Sequence, residues 1–460
     1  MILRFAIWTA VLAGSLAAQT LTLEEVLRGL EQNYPPLLAA LLERDVAAGA
    51  NRQALGQFDT QLGLTAGSDQ FGYYPNERLD LGVSQNLQWQ GASVYGGWRS
   101  GWGDFPPYRG LDDTRNLGQF RTGIKLPILR GRQIDDRRAG LTQSRIGQRI
   151  ADLTVDQQRL LVRQLASSRY WDWVAAGQRA RIAEELLRVA VERDRALREA
   201  AALGSIAKIE VTENQRQILQ RQAQIVEAAR GLQQAAIALS LFYRNSLGDP
   251  VLAQSAQLPA NLPATEFLDD QRVEADLSAA LRKRPEIAAV IAQGEQTRID
   301  MDLASNQTRP ALDLGVGVTS ETGSGAVRRG PNELKATLTF LVPWQRRVAD
   351  GKLQQASAKH GQLKQRERFA KDQVSAEVTD AASAVRAAHE RAVLAAREVT
   401  VALDLAEAER ERFRLGDSTL FLVNLREQAA VDAELRLVAA NLDHIRALTG
   451  YEQVTAKLLP

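Results

Sequence analysis

The sequence predicts a mixed α and β fold, mainly α, in which one structural unit occurs twice. Outside residues 61–120 the chain is rich in Ala, Leu, Gln, Arg and Glu, which is typical of long helices. Residues 61–120 instead hold ten of the 26 aromatic side chains and 11 of the 33 glycines. The stretch from Arg132 to Ala202 contains no proline and only three glycines, so one uninterrupted helix is expected there. Long helices are therefore expected to flank a block of strands.

Comparison of the chain with itself indicates the duplication. Three pairs of segments match at offsets that fall from 250 to 216 and then 212 residues, namely Tyr34–Leu37 with Arg284–Ile287, Pro127 with Pro343, and Leu203-Gly204 with Leu415-Gly416. The drop from 250 to 216 assigns 34 additional residues to the first copy, all within the aromatic-rich stretch.

The repeat boundaries predict a domain organisation. The expected divisions are a signal peptide at 1–17, a first repeat at 18–247 with strands at about 61–127, a linker at 248–270, a second repeat at 271–455 with strands at about 311–343, and a tail at 456–460. The linker assignment depends on the prolines and the glycine found between the two copies.

The first segment has the features of an export signal. Arg4 precedes an apolar run from Phe5 to Gly14, and Ser15-Leu16-Ala17 places small residues where a signal peptidase cuts. We therefore expect export and a mature N-terminus near Ala18. The mean hydropathy is −0.25, and no later stretch has the roughly 18 apolar residues of a transmembrane helix, so any membrane span is expected to be a strand.

Each copy is predicted to contain a helix, strands, a very long helix, a tight turn and a return helix. The expected ranges are about 23–58, 61–127, 132–202, 203–205 and 207–244 in the first copy, and about 272–308, 311–342, 347–414, 416 and 418–449 in the second. Thr22 is the predicted N-cap of the first helix, with Glu25 three residues later. In each copy the two shorter helices together match the length of the long one, as expected for a hollow cylinder of uniform height.

A heptad stripe in the second long helix predicts coiled-coil packing. Small apolar residues alternate at spacings of four and three, namely Val374, Val378, Ala381, Val385, Ala388, Ala392, Ala395, Val399, Ala402 and Ala406. Their small size predicts a close approach of neighbouring helices.

The strands have the alternation of sheets with one apolar face, as in Leu79, Leu81 and Val83. Unpaired edges invite aggregation, so closure into a barrel shared by several chains is expected. Aromatic residues for the two interfacial girdles of a membrane barrel are Tyr73, Tyr74, Trp89, Tyr95, Trp98, Trp102, Phe105 and Tyr108, with Phe340 and Trp344 in the second copy. A soluble β-sandwich remains an alternative. Gly91-Ala92 predicts an additional hairpin, which either adds strands or lengthens an extracellular rim.

These features together resemble the outer membrane efflux protein family of TolC-like outer-membrane channels. The resemblance covers nearly all of the mature chain and depends on the two-copy order, on Leu126–Gly131 at the strand-to-helix junction, and on Arg414–Ser418 before Phe421–Arg426. It implies a homotrimer, in which an α-barrel of long coiled-coil helices in the periplasm joins a twelve-stranded transmembrane β-barrel in outer-membrane lipid. It also implies a periplasmic adaptor (membrane fusion) protein and an inner-membrane transporter as partners.

The resemblance also implies functional residues at the two helical turns. Glu210 falls where the family has an acidic residue that helps to line the periplasmic entrance. At the second turn, Phe413 and Ser418 replace the tyrosine and arginine that close the family's best-known member, and Asp417 beside basic residues is a candidate for a different lock. The expected set for the periplasmic tip, gate and adaptor contact is Gly204, Glu210, Arg412, Phe413, Gly416 and Asp417, with Arg414 nearby. A solvated or helix-capping role for these charges remains the alternative.

Other chemistry lacks support in the sequence. The 57 basic and 55 acidic residues nearly cancel, which gives no basis for nucleic acid binding. The absence of cysteine excludes disulfides, thiolate metal sites and an acylated N-terminal cysteine. His360, His389 and His444 lack ligand spacing, and Gly323–Gly330 lacks the Lys-Ser/Thr pair of a phosphate loop. No enzymatic activity, metal or cofactor is expected.

The predicted function is an outer-membrane channel that passively conducts substrates from the periplasmic tips to the cell exterior, within a tripartite efflux or type I secretion system. The alternative is a periplasmic coiled-coil adaptor or scaffold that does not span the membrane. Such a scaffold has no need of a strand block in each copy or of an aromatic-rich β region.

Overall fold

The computed structural model describes residues 20–106, 113–325 and 332–459. The predicted signal peptide, Tyr108, most of the Gly323–Gly330 loop and the last residue of the predicted tail lie outside the described residues. The helices are α1 (Leu23–Asn33), α2 (Pro35–Leu55), α3 (Asp136–Ala202), α4 (Lys208–Ser240), α5 (Asp270–Lys283), α6 (Pro285–Gln307), α7 (Arg347–Arg414) and α8 (Leu420–Val454). None of these helices is both long and apolar enough to cross a membrane.

The first helix of each copy is broken, which corrects the prediction of continuous helices at 23–58 and 272–308. Tyr34 between α1 and α2, and Arg284 between α5 and α6, have extended backbones with ψ of 113° and 120°. A proline follows each of them, and its ring disfavours the helical conformation of the preceding residue. The break occurs at matching places in the two copies. The predicted Thr22 cap is confirmed, since its side chain accepts a hydrogen bond of 3.2 Å from the backbone NH of Glu25.

Within the described residues, six strands form one antiparallel sheet in the order in which they occur along the chain. They are β1 (Gln61–Asp69), β2 (Asn76–Asn86), β3 (Ser93–Gly103), β4 (Gln119–Pro127), β5 (Ala311–Glu321) and β6 (Asn332–Leu341). The first copy therefore contributes four strands and the second copy two. The predicted additional hairpin is present as β2 and β3, and it adds strands to the sheet.

The turn of this additional hairpin packs against the segment that leads into α3. Gly91 has a φ of 70°, a conformation that glycine adopts without strain. A Cβ atom at this position would lie 2.5 Å from the carbonyl oxygen of Gly131 and 2.9 Å from a carboxylate oxygen of Asp135. The hairpin turn is therefore fitted to this segment through a glycine that no larger residue can replace.

The chain divides into two compact units, each assembled from distant segments. The helical unit comprises the described parts of 1–39, 156–284 and 373–460, and the sheet unit comprises 40–155 and 285–372. Each unit contains residues from both sequence copies. The boundaries of the two compact units therefore do not coincide with the boundaries of the two sequence repeats.

The core of the helical unit contains aliphatic and aromatic side chains from several helices, among them Leu30, Trp173 and Leu239, which are fully buried. The Tyr170 hydroxyl donates a hydrogen bond of 2.8 Å to the backbone carbonyl of Leu21. The heptad stripe of α7 is its inward face, since six of the ten stripe residues are buried and the other four are half-buried. A heptad stripe is the pattern that packs one helix against another along its length.

Candidate functional site

The sheet has one apolar face and one polar face. The strand register places a set of apolar side chains on one side, among them Leu62, Leu64, Leu79, Leu81, Val94, Trp98, Phe120, Ile124, Leu314, Val316, Leu334 and Leu338. Many of them are exposed in the single chain, and Leu62 is 80% exposed. A contiguous apolar surface of this extent marks contact with lipid or with another protein.

The opposite face carries glycines and charged side chains. Asp80 on β2 lies between two arginines, and its carboxylate accepts hydrogen bonds of 3.0 Å from Nε and a terminal nitrogen of Arg99 on β3. The other carboxylate oxygen of Asp80 is paired with Arg121 on β4. Because this cluster joins three neighbouring strands on the polar face, it fixes their order and register there.

The aromatic residues divide between the faces and the ends of the sheet. Trp98 and Trp102 lie on the apolar face, on the same side of the sheet as Leu81. Tyr95 is an exception to the predicted girdle, because the register places it on the polar face, where its hydroxyl occupies the space beside Gly123 and Gly317. Its ring would leave no room for a Cβ atom on either glycine.

The first helical turn, between α3 and α4, closes with a glycine. Gly204 has a φ of 74°, and its backbone NH donates a hydrogen bond of 3.1 Å to the carbonyl of Ala201. The NH of Ser205 donates a hydrogen bond of 2.9 Å to the carbonyl of Ala200. This pair of bonds is the Schellman motif that ends a helix at a left-handed residue.

The second helical turn, between α7 and α8, has the same bonds. Gly416 has a φ of 83°, and its NH donates a hydrogen bond of 3.0 Å to the carbonyl of Phe413. The NH of Asp417 donates one of 2.9 Å to the carbonyl of Arg412. The duplication seen in sequence therefore extends to the hydrogen bonds of the two turns.

Side chains reinforce the second turn more than the first. The Arg412 guanidinium lies 3.2 Å from a carboxylate oxygen of Asp417 and also donates to the Asp417 backbone carbonyl at 3.1 Å. Arg414 pairs instead with Glu411 at 2.7 Å. Of the two basic residues predicted beside Asp417, the structure thus brings only Arg412 to it.

The remaining members of the predicted set differ in their surroundings. Glu210 lies half-buried in the first turn of α4, and Phe413 lies half-buried in the last turn of α7. Leu203 and Leu415, which precede the two glycines, are 83% and 72% exposed. Each turn therefore presents an apolar side chain to the outside of the single chain.

A buried ion cluster, which we call the Glu427 cluster, joins four helices of the helical unit. Its centre is the Glu427 carboxylate on α8, which is 1% exposed. Three guanidiniums contact this carboxylate, namely those of Arg193 on α3, Arg221 on α4 at 3.2 Å and Arg410 on α7 at 2.8 Å. Because the partners come from three other helices, this single residue ties α3, α4, α7 and α8 together.

Neighbouring groups complete the Glu427 cluster. Asn424, one helical turn before Glu427, accepts a hydrogen bond of 2.8 Å from Arg193. Arg221 donates a second hydrogen bond, of 2.9 Å, to the backbone carbonyl of Leu186. These bonds hold the arginines in place, as a buried charge requires.

Charges in this cluster shift each other's ionisation. Burial raises the pKa of Glu427, but the attraction of Arg193 and Arg410 and the hydrogen bonds from Arg410 and Arg221 outweigh burial and bring the pKa below its usual range. Burial lowers the pKa of Arg221, and Glu427 opposes that shift. An arginine stays protonated under such conditions, so the cluster is ionised at neutral pH.

Sequence reasoning did not identify the Glu427 cluster. One signal was available, because Glu427 lies three and four residues from Asn424 and Val423 on a face of α8 that also buries Leu420 and Ala430. A glutamate on an apolar helix face requires a buried partner. The arginine partners are distant in sequence, and nothing in the spacing points to them.

Two of the three histidines lie together in the helical unit. The rings of His389 and His444 are 5.9 Å apart between centroids, and Nε2 of His444 lies 3.0 Å from the backbone carbonyl of Glu266. Burial lowers the pKa of His444, so its neutral form is favoured and Nε2 carries the proton. In the described part of the chain, no three His, Cys, Asp or Glu residues are grouped closely enough to hold a metal ion.

Comparison with known proteins gives a match in structure only. No protein-family model matches the chain, and no curated protein sequence does. Among solved structures, the chain is similar to the outer-membrane channel OprN, with a TM-score of 0.68 and 16% identity over 94% of this chain and 89% of that one. It is also similar to the Neisseria gonorrhoeae MtrE outer membrane channel in its open state (TM-score 0.65, 16% identity, 99% and 98% covered).

A third similar structure is the Campylobacter jejuni CmeC outer membrane channel (TM-score 0.64, 14% identity, 99% and 93% covered). These similarities extend over nearly the whole chain and include both the helices and the strands. The chain therefore has the fold of the outer-membrane channels.

Proposed function

We propose that the protein is an outer-membrane channel that conducts substrates passively, as part of a tripartite efflux or type I secretion system. The observation that carries the proposal is the two-faced sheet. Its strands are 9 to 11 residues long, the length that spans a bilayer when tilted. One face is apolar and exposed, whereas the other is polar and rich in glycine, as in a barrel with lipid outside and water inside.

The fold similarity supports the same proposal. A periplasmic adaptor or scaffold, the alternative considered from sequence, does not account for an exposed apolar sheet face. In the proposed assembly three copies share one barrel in outer-membrane lipid, and the helices extend into the periplasm. The channel itself performs no catalysis, and a partner transporter in the inner membrane supplies the energy.

The two helical turns are proposed as the periplasmic entrance and the docking site for an adaptor protein. Leu203 and Leu415 offer matched apolar contacts beside Gly204 and Gly416. Both leucine side chains are exposed in the single chain, as a docking site for a partner requires. The paired glycines provide equivalent pivots for opening.

Membrane extraction tests the location. Membranes from cells that express the full chain are washed with high salt and then with detergent, and the mature protein is followed by immunoblotting. We expect release only by detergent, because the apolar face needs a lipid or detergent cover. Release by salt alone would overturn the membrane channel and favour the periplasmic scaffold.

Planar-bilayer recording tests the conduction path and the role of the turns. The purified protein is expected to form channels, and Glu210→Ala is expected to lower their cation selectivity, since rings of carboxylates select cations. Asp417→Ala should have a smaller effect, because Arg412 already offsets that charge. Gln217→Ala, a neutral exchange on the same helix as Glu210, is the matched control. Unchanged cation selectivity in Glu210→Ala would contradict an electrostatic role of Glu210 but would not contradict the proposed channel function.

A further inference from the structure

The sheet ends in two long open edges. In the described part of the chain, β1 pairs only with β2 and β6 pairs only with β5. These edge strands are 9 and 10 residues long, and neither contains a proline. Proteins protect such edges because unpaired backbone groups recruit other strands. Both edges here are therefore suited to pairing with a further strand.

The apolar face continues up to both edges. Leu62 and Leu64 on β1 are 80% and 68% exposed, and Leu334 and Leu338 on β6 are 75% and 66% exposed. A strand that pairs with either edge must continue this face and also the polar face behind it. The opposite edge of a second copy meets both conditions, because β1 and β6 carry the same alternation.

Strand direction also favours a second copy. All five pairings in the sheet are antiparallel, and an even number of strands leaves β1 and β6 pointing in opposite directions. When β6 of one copy lies beside β1 of the next, that contact is antiparallel as well. Six strands are too few to enclose a pore alone, because even eight leave an interior that side chains fill.

We propose that β6 of each copy pairs with β1 of the next, and that three copies close one barrel of eighteen strands. The number of copies rests on the proposed function, and the six strands per copy come from the sheet. The twelve strands implied by the family resemblance require four per copy, so the β2–β3 hairpin makes the difference.

The consequence is a wider pore. Barrel diameter grows roughly in proportion to strand number, so eighteen strands give about 1.5 times the diameter of twelve. Barrels of 16 to 18 strands leave an aqueous channel. The Asp80, Arg99 and Arg121 cluster lies on the polar face that lines this channel, and two of its three members belong to the added hairpin.

Disulfide cross-linking tests the pairing directly, since the chain contains no cysteine of its own. Gly63→Cys on β1 is combined in turn with Lys335→Cys, Thr337→Cys or Thr339→Cys on β6, all on the polar face. Membranes are oxidised and run on denaturing gels without reductant. We expect at least one pair to give a covalent ladder that ends at three copies.

A matched control pair is Thr319→Cys with Glu333→Cys, which face each other across β5 and β6 within one copy and should form a disulfide inside the monomer. A β1–β6 disulfide inside the monomer overturns the proposal, because the sheet then closes on itself. A ladder that ends at two or at four copies overturns the strand number. Absence of cross-links in all three β1–β6 variants, while the control pair forms, overturns the contact.

Electron microscopy of the purified assembly, viewed along the barrel axis, measures the strand number independently. Eighteen strands support the proposal and twelve overturn it. Channel recording separates this inference from the proposed function. A three-copy, eighteen-stranded assembly that carries no current would contradict the proposed conduction but support the strand pairing. A conducting barrel of twelve strands would support conduction but contradict the eighteen-stranded barrel.

Discussion

The sheet exposes apolar side chains in the single chain, whereas the Glu427 cluster buries charged side chains. The sheet leaves a broad apolar face exposed in the single chain, with Leu338 at 66%, and in the proposed channel lipid covers this face. The Glu427 cluster buries the carboxylate of Glu427 and the guanidinium of Arg221, and it pairs them with each other and with Arg193 and Arg410 within one chain. The apolar face therefore needs a cover from outside the chain, whereas the Glu427 cluster finds its ion partners within the chain.

The two regions therefore differ in the substitutions that they tolerate. In the proposed barrel the apolar face tolerates exchange among apolar residues, because lipid conforms to any of them. The cluster has no such freedom, since a buried charge that loses its partner is strongly destabilising. Variants in the cluster should therefore act on the stability of the chain, and variants on the sheet should act on assembly in the membrane.

The largest effect is expected from Glu427→Gln. The exchange keeps the shape of the side chain but removes the charge shared by Arg193, Arg221 and Arg410, which should cost about 3–5 kcal/mol of unfolding free energy. The measurement is urea unfolding of the detergent-solubilised protein, followed by far-UV circular dichroism. Glu411→Gln removes an exposed partner of Arg414 and should change little. Equal losses in the two variants would contradict the comparison.

The same variant has a pH signature. Because the pKa of Glu427 is lowered in the folded protein, the unfolded state binds its proton first as the pH falls. The stability that this carboxylate supplies is therefore present at neutral pH, above the ordinary glutamate pKa, and is lost on acidification through the lowered pKa. Glu427→Gln should lack that part of the acid-dependent loss.

A slightly smaller effect is expected from Leu338→Arg, which places a charge on the apolar face of β6. Arginine at the bilayer midplane of a barrel costs about 2–4 kcal/mol. Thr337→Arg, one residue earlier and on the polar face, is the matched control. We expect Leu338→Arg alone to reduce the heat-resistant assembled form seen on unheated gels. A comparable reduction by Thr337→Arg would mean that the assignment of faces is wrong.

The smallest effect is expected from Gly416→Ala at the second turn. No atom lies within 4 Å of the added Cβ, so the cost comes from the left-handed backbone alone, about 1–2 kcal/mol. Gly231→Ala in α4, which also meets open space, should instead stabilise the helix by about 0.5–1 kcal/mol. Urea unfolding of both variants measures the difference. Loss of stability in both would point to packing rather than backbone strain.

The fold was largely predictable because its signals are local or periodic. Long proline-free stretches, the heptad stripe of α7 and the alternation in β1 to β6 each depend on nearby residues. The breaks at Tyr34 and Arg284 were also encoded, since a proline follows each of them. The number of strands is not predictable in this way, because Gly91-Ala92 indicates a hairpin but not whether it joins the sheet.

The candidate site was less predictable, because its contacts join residues that are far apart in sequence. The two glycine turns could be found by self-comparison, and the structure confirms their shared backbone form. The choice of Arg412 over Arg414 as the partner of Asp417 depends on side-chain directions that spacing does not reveal. Glu427 and Arg221 lie 206 residues apart, and the pair has no counterpart in the other copy.

The added hairpin has a consequence for how such a pore changes size. Strands enter this sheet two at a time, because a single extra strand would reverse the direction of every helix that follows it. In an assembly of three copies each added hairpin contributes six strands at once. In the proposed channel the bore is therefore adjustable only in coarse steps, and fine control of what passes would come from side chains such as Tyr95, Arg99 and Arg121 on the polar face.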